Sequence, residues 1–182
     1  MRRRKLFFLV ANAVFDAGIA AWDAKVYYDA PRPITAIHFL KAGEKIRAWA
    51  GPGLRAQVMD GTEWQPYQPT WFPTPPFPEY VSGHGAFSAA GAEILKRFTG
   101  SDAFGASTTI DHGSLGVEVG TPVLPVTLSW PTFSDAADEA GMSRRYGGIH
   151  FEDADTEGRK LGRKVGAAVW ERGKRYIDGT AR

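Results

Sequence analysis

The chain has 182 residues, with 22 Lys and Arg against 20 Asp and Glu, a formal net charge of +2 and no cysteine. This length suits one domain with a sizeable core, and the near balance of charge requires no nucleic-acid partner. Hydrophobic residues at 43% and aromatic residues at 13% exclude a disordered chain. The lack of cysteine excludes disulfides and thiolate metal sites.

The first predicted element is a long amphipathic helix from about Lys5 to Tyr28. The helix should stop before Pro31, because the residue that precedes a proline avoids the helical region. Its apolar residues recur at helical spacing. They are Phe8, Ala11, Phe15, Ile19, Trp22 and Val26.

The same N-terminal region also has features of a secretion signal. Basic residues at 2–5 precede a mostly apolar run, but Asn12 and Asp16 interrupt that run, so a helix of the mature protein is favoured. No stretch here approaches the roughly 18 uncharged apolar residues of a membrane span. We therefore expect no membrane span.

The next part of the chain is dominated by turns and prolines. Residues 37–49 are predicted to add a short helix, and turns are expected at residues 51–53 and 60–61. Six prolines between Trp64 and Tyr80 exclude regular helix. The aromatic residues among these prolines favour a rigid extended loop packed on a surface over a disordered linker.

Ser82 is predicted to cap a helix that runs to about Phe98. A hairpin is expected after it, with strands at Gly116–Val119 and Val123–Ser129 and a turn at residues 120–122. Its β-branched runs and the Gly-Thr-Pro between them support this prediction.

Two more helices are predicted before the C-terminus. Thr132 and Asp135 form a capping box for a short helix that ends near Gly141. The last helix should run from about Asp153 to Tyr176. Glycines repeat every four residues along one of its faces, so another backbone can approach closely there. These are Gly158, Gly162 and Gly166.

Ser82, Gly83 and His84 open a predicted helix, where the first amides are unpaired and carry a partial positive charge. Such an N-terminus binds anions, and Gly83 has no side chain to block the approach. A serine N-cap with a nearby histidine is also an ordinary structural feature. These three residues alone therefore do not decide between a site and a cap.

Three cations and a second histidine complete a set with the chemistry of an oxyanion site. Lys25, Arg32 and Arg144 provide positive charge and N–H donors, and His150 follows a flexible Gly-Gly pair. A lone histidine such as His150 is more often structural. Arg145 is the adjacent alternative to Arg144. The other two histidines are interpreted as structural or solvent-facing. They are His38 and His112.

The order and spacing of these blocks resemble the signature of the vanadium-dependent haloperoxidase and type 2 phosphatidic acid phosphatase superfamily. The pattern is Lys-(six residues)-Arg-Pro, then Ser-Gly-His, then Ser-Arg-(five residues)-His. The resemblance runs from about Lys5 to Tyr176. It implies an all-α helical bundle with the site at its centre. The residue patterns add to this bundle the long loop rich in proline and aromatic residues and the small β-hairpin.

The resemblance also implies a role for each residue of the signature. The oxyanion-binding residues would be Lys25, Arg32, Ser82, Gly83 and Arg144. His150 would be the axial ligand of vanadium, or the nucleophile that attacks phosphorus in a phosphatase, and His84 would be the acid and base. The aromatic residues Phe77 and Trp22 resemble those of the haloperoxidase branch of the superfamily. In that branch, an aromatic side chain at the position of Phe77 lines the halide site.

Two positions depart from the pattern of the superfamily. Val81 replaces the usual proline before Ser-Gly-His, and Ala154 replaces the aspartate that orients the last histidine. Asp153 is expected to reach His150 instead if the last helix starts early. If it does not, His150 is less well oriented and turnover is in question.

The resemblance implies oxidation of halide by hydrogen peroxide, with vanadate as the cofactor. Two alternatives stay open: a metal-free phosphomonoesterase with a phosphohistidine intermediate, and a non-catalytic remnant that binds phosphate. Residues 1–182 are predicted to form one domain of this type, without some N-terminal helices of the family. Surfaces exposed for that reason should cause self-association, as a symmetric dimer, or poor solubility.

Overall fold

The structure is a computed structural model that describes residues 2–181, apart from the side chain of Arg2. It contains five α-helices within these residues, and the all-α bundle predicted from the sequence is confirmed. The helices are α1 (Arg2–Tyr28), α2 (Pro33–Leu40), α3 (Gly83–Thr99), α4 (Phe133–Tyr146) and α5 (Glu152–Ile177).

The central element of the bundle is α3, which packs against α1, α4 and α5. The glycine face of α5 makes the contact with α3. A Cβ atom at Gly158 would lie 2.6 Å from the carbonyl oxygen of Ser82, and one at Gly166 would lie 2.8 Å from that of Ala90. The expected close backbone approach is therefore confirmed, and the partner is α3 rather than another copy of the chain.

The buried face of α1 differs from the apolar stripe that the sequence suggested. Small residues face the core, while Phe15 is 68% exposed and Val26 is 76% exposed. The buried residues follow one another at intervals of four. They are Leu9, Ala13, Ala17, Ala21 and Lys25. Because alanines let α1 approach α3 closely, the large apolar side chains remain outside, and the expected self-association stays a prediction.

Two antiparallel hairpins accompany the helices, and both correct the sequence-based expectations. The first joins β1 (Lys45–Trp49) to β2 (Ala56–Asp60). The helix predicted for residues 37–49 is present only up to Leu40, in α2, and residues 45–49 form β1 instead. The second joins β3 (Ala103–Ile110) to β4 (Val126–Thr132). The predicted strand at residues 116–119 was wrong, since these residues belong to the connection between β3 and β4.

The start of α4 was predicted correctly and its end was not. Thr132 accepts a hydrogen bond from the amide of Asp135, whose side chain accepts one from the amide of Thr132, as expected for a capping box. The helix continues past Gly141 because this glycine is buried against Asp155 and Arg159 of α5. Its last turn therefore carries Arg144 toward the start of α5.

The N-terminal helical segment meets the length and apolarity of a membrane span. An 18-residue window within Arg3–Leu40 has a mean hydropathy of 1.5, and 22% of it is buried. The segment is apolar without being uncharged, because Asp16 and Asp23 are among the charged residues that interrupt it. Signal sequences and core helices of soluble proteins have the same composition, so the absence of a membrane span stays a prediction.

Candidate active site

Lys25 lies on the last turn of α1 with its side chain completely buried. Its Nζ donates hydrogen bonds to the carbonyl oxygens of Pro78 at 2.8 Å and Glu79 at 3.1 Å. A lysine ammonium has three donors, so one N–H remains for another acceptor. The two carbonyls hold the ammonium at the end of the loop that leads into α3.

Arg32 precedes α2 and is also buried. Its Nε donates to the carbonyl oxygen of Phe77 at 2.8 Å, and its Nη1 donates to that of Ile149 at 2.9 Å and lies 3.1 Å from Nε2 of His150. Its Nη2 is buried without a partner among the described residues. A buried donor without a partner is costly, so this N–H is available to a ligand or a water molecule.

The two adjacent arginines of α4 have different surroundings. Arg145 pairs with Glu152, its Nη2 lying 3.2 Å from the carboxylate. Arg144 is half-buried, and its Nε is buried without a partner among residues 2–181. Burial lowers the pKa of Arg144. Of the pair, Arg144 is therefore the one with a donor left for an anion.

Ser82 is the N-cap of α3, as the sequence predicted. Its Oγ accepts a hydrogen bond from the amide of Gly85 at 3.3 Å, and its carbonyl accepts the first intrahelical bond, from Ala86. The amides of Gly83 and His84 precede that bond and belong to the helix N-terminus, where anions bind.

His84 is exposed on the first turn of α3. Partial desolvation lowers its pKa, and the charges of Arg144 and His150 lower it further. His84 is therefore neutral at pH 7 and able to accept a proton. An exposed imidazole beside buried cations also has access to solvent for the exchange of that proton.

His150 is buried between a cation and a carboxylate. Its Nδ1 lies 2.7 Å from Oε1 of Glu79, and its Nε2 lies 3.1 Å from Nη1 of Arg32. A carboxylate accepts and a guanidinium donates, so Nδ1 carries the proton and Nε2 presents its lone pair. Burial lowers the pKa of His150, and the hydrogen bond to Glu79 opposes the shift.

The carboxylate beside His150 is not the one expected from the sequence. Asp153 is exposed on the first turn of α5, and Glu79 contacts the imidazole instead. The expectation that Asp153 reaches His150 is therefore wrong, because the first turn of α5 directs this residue to solvent. Glu79 carried one signal in the sequence: it is the single charged residue between Trp64 and Ser82.

Two aromatic rings cover the cations. The ring of Phe77 lies 4.8 Å from the guanidinium carbon of Arg32 and 5.2 Å from Nζ of Lys25. The ring of Trp22 lies 5.7 Å from the same Nζ and contacts Phe77 at a centroid distance of 5.2 Å. The rings attract the cations and limit the access of water to them.

Burial and mutual repulsion destabilise the charged forms of the cations when no anion is bound, and their pKa values are lowered as a result. The pKa of Lys25 is lowered to about 8, first because burial removes the ammonium from water and second because Arg32 is near. The pKa of Arg32 is lowered to about 10 by burial, with a contribution from Arg144, while Glu79 opposes the shift. Three cations around one carboxylate are complementary to an anion of more than one negative charge.

The remaining histidines lie outside this set. Nε2 of His38 lies 2.7 Å from the carbonyl oxygen of Trp64, and Nδ1 of His112 lies 3.0 Å from that of Pro122. Both imidazoles have backbone partners, in agreement with the structural or solvent-facing roles expected for them.

Comparison with known proteins identifies the family. Residues 5–179 match the family model of the second helical-bundle domain of VCPO, the vanadium-dependent chloroperoxidase. The chain belongs to this family. A search of the curated proteins finds no match.

Solved structures of vanadium-dependent haloperoxidases have the same fold. The apo-type bacterial vanadium-dependent chloroperoxidase is 31% identical with a TM-score of 0.88, over 96% of this chain and 37% of that chain. The holo-type bacterial chloroperoxidase is 32% identical with a TM-score of 0.85, over 94% and 36%. The first bacterial vanadium-dependent iodoperoxidase is 31% identical with a TM-score of 0.63, over 91% and 32%. The chain spans about a third of the length of these haloperoxidases.

The residues of the site fit vanadate, the oxyanion that the haloperoxidase family implies. The buried donors Nη2 of Arg32 and Nε of Arg144 have no partner within residues 2–181, and the third proton of Lys25 is also available. Nε2 of His150 offers a lone pair beside them. This donor set, with excess positive charge and one imidazole, suits an oxyanion with a coordinating central atom.

Proposed function

We propose that this chain carries the site at which a vanadate-dependent haloperoxidase oxidises halide with hydrogen peroxide. The observation that supports this most directly is that Nη2 of Arg32 and Nε of Arg144 are buried without a partner in the part of the chain that the structure describes, while Arg32 also contacts Nε2 of His150. Bound vanadate would act as a Lewis acid that polarises peroxide for attack by halide.

In this proposal the cations bind and neutralise the oxyanion. Lys25, Arg32 and Arg144 donate N–H groups to its oxygens, and Ser82 and the amide of Gly83 add donors at the start of α3. The carbonyl of Pro78 holds Lys25 in place, and the carbonyl of Phe77 holds Arg32. These bonds exist without the anion, whereas the contact of Nη1 of Arg32 with Nε2 of His150 would be released when the central atom takes that lone pair.

The two histidines have separate roles in this proposal. His150 would hold the central atom of the oxyanion through Nε2, because its Nδ1 is engaged by Glu79. His84 is exposed and neutral at pH 7, so it can accept a proton from an incoming peroxide and return it to a leaving oxygen.

Halide would approach at the aromatic side of the site. Trp22 and Phe77 form an apolar wall directly over the cations. A large, weakly hydrated anion such as bromide loses little hydration free energy beside aromatic rings, and the nearby positive charge attracts it. The proposed substrates are therefore halide and hydrogen peroxide, both small molecules.

The test is a parallel assay of the purified chain with and without added vanadate. Bromide oxidation by peroxide should require vanadate and should be lost in Arg32→Ala, while Arg145→Ala, whose side chain pairs with Glu152, should keep it. Phosphate release from a generic monoester without vanadate would favour the phosphomonoesterase instead. Binding of phosphate with neither activity would indicate a phosphate-binding remnant.

A further inference from the structure

The buried carboxylate of Glu79 joins the loop before α3 to the start of α5. Its Oε1 lies 2.7 Å from Nδ1 of His150 and accepts a hydrogen bond of 2.8 Å from the amide of Phe151. The side chains of Glu79 and His150 are each only 4% exposed. Glu79 therefore contacts both the imidazole and the backbone just after it.

The backbone of Glu79 is itself held at two points. Its amide donates to the carbonyl oxygen of Ala30 at 2.9 Å, and its own carbonyl accepts from Nζ of Lys25 at 3.1 Å. These contacts connect Glu79 to the segment between α1 and Arg32. A carboxylate held in this way can fix the orientation of a neighbouring ring.

We propose that Glu79 is the positioning residue of His150, which takes the role left open by Ala154 and turns Nε2 of the imidazole toward the oxyanion. This inference rests on the proposed function, since it assumes that Nε2 is the coordinating atom. Ala154 cannot serve, because it has no acceptor in its side chain and is completely buried.

The geometry explains why one contact has this effect. An imidazole in the absence of Glu79 can exchange its tautomer or rotate, and either change removes the lone pair from the position beside Arg32. Glu79 prevents both, because a carboxylate only accepts and Nδ1 must then donate. Removal of such a partner of a ligating histidine typically lowers metal affinity about 10- to 100-fold.

The binding experiment compares vanadate with inorganic phosphate by calorimetry on the purified chain. Glu79→Ala should lower the affinity for vanadate about 10- to 100-fold. Phosphate is held by the cations alone, so its affinity should stay the same or rise, because one negative charge has been removed. Glu79→Gln keeps the shape and an acceptor oxygen and should show a smaller loss. Glu93→Gln removes a carboxylate that pairs with Arg97 on α3 and is the matched control.

Two results would overturn the proposal. The first is vanadate affinity in Glu79→Ala and Glu79→Gln equal to that of the parent. The second is a proportional loss of vanadate and phosphate in both variants, which would mean that Glu79 only maintains the shape of the site. If Glu79→Ala does not fold, the nearly isosteric Glu79→Gln decides by the same comparison.

A second measurement separates this proposal from the proposed function. Nitrogen-15 NMR of the four histidines distinguishes the two neutral tautomers of each ring without any anion present. The signal that disappears in His150→Gln should show a protonated Nδ1 in the parent and a mixture of tautomers in Glu79→Ala. The same tautomer in both proteins contradicts the role of Glu79. A chain with the expected NMR result but without vanadate binding or bromide oxidation would contradict the function alone.

Discussion

Arg145 and Glu152 form an ion pair between the last turn of α4 and the first turn of α5, with Nη2 3.2 Å from Oε2. The pair engages the arginine that is adjacent to Arg144 in sequence. As a result, the two arginines have distinct roles: Arg145 joins two helices at the surface, and Arg144 keeps a buried donor that has no partner among the described residues.

Arg32 and Arg144 should dominate the affinity for oxyanions. Arg32→Ala and Arg144→Ala should each weaken phosphate binding by about 1.5–3 kcal/mol, because each removes hydrogen bonds from a charged donor. Arg145→Ala should change it by less than about 0.5 kcal/mol. Calorimetric titration measures all three, and equal losses at Arg144 and Arg145 would contradict the assignment.

Substitution of the two histidines should separate binding from turnover. His150→Ala should abolish ligation of vanadate and any phosphohistidine, since Nε2 is lost. His84→Ala should keep anion binding and lose a factor of about 100 to 10,000 in turnover, because it removes a proton-transfer group. Binding and rate assays on the same preparations check this. Equal loss of binding in both variants would contradict it.

Anion affinity should fall as the pH rises above about 8, because the pKa of Lys25 in the free site is lowered to about 8. Phosphate remains a dianion throughout this range, so the change reports the protein. Up to tenfold in affinity should be lost per pH unit if binding needs the ammonium. Lys25→Met should bind phosphate more weakly and without this dependence between pH 8 and 9.5, and an unchanged slope would refute the assignment.

The lowered pKa of Lys25 has the opposite consequence for stability: a rise in pH weakens anion binding but stabilises the fold. The lowered pKa means that the unfolded chain binds more protons at Lys25 than the folded chain between pH about 8 and the ordinary value of 10.5. The contribution of Lys25 to the free energy of unfolding therefore rises with pH across that window. Below it, the buried charge destabilises the fold.

Carboxylates on the first turn of α5 should matter little for the site. Asp153→Ala should leave vanadate affinity within about threefold, since Asp153 is exposed and Glu79 contacts His150. Ala154→Asp should not raise activity, because Nδ1 already has its acceptor and the new side chain would be buried at a completely enclosed position. Rate and affinity measurements decide, and a large gain in Ala154→Asp would show that His150 is poorly oriented in the parent.

The close contact of α5 with α3 should tolerate no methyl group at Gly162. A Cβ atom there would overlap the carbonyl oxygen of Ala86, so Gly162→Ala should destabilise the fold by about 1–3 kcal/mol. Gly116→Ala is the matched control, because none of the residues that the structure describes lies within 4 Å of its added Cβ atom. Urea denaturation measures both variants, and an unchanged midpoint for Gly162→Ala would contradict the packing.

The sequence alone determined the features that depend on neighbouring residues. Ser82 is the N-cap of α3, and Thr132 with Asp135 is the capping box of α4, because caps are built by side chains within a few residues of a helix end. The glycine spacing on α5 predicted a close helix contact for the same kind of reason. The blocks that carry Lys25 and His150 were also readable, since each has its own internal spacing.

Only the tertiary structure decided which distant residues meet. Glu79 and His150 are 71 positions apart, and their contact depends on the loop before α3 reaching the start of α5. The engagement of Arg145 by Glu152 depends on where α4 meets α5, and the buried face of α1 depends on how closely its alanines let α3 approach. Local patterns contain no information on these distances, because they result from the packing of the whole bundle.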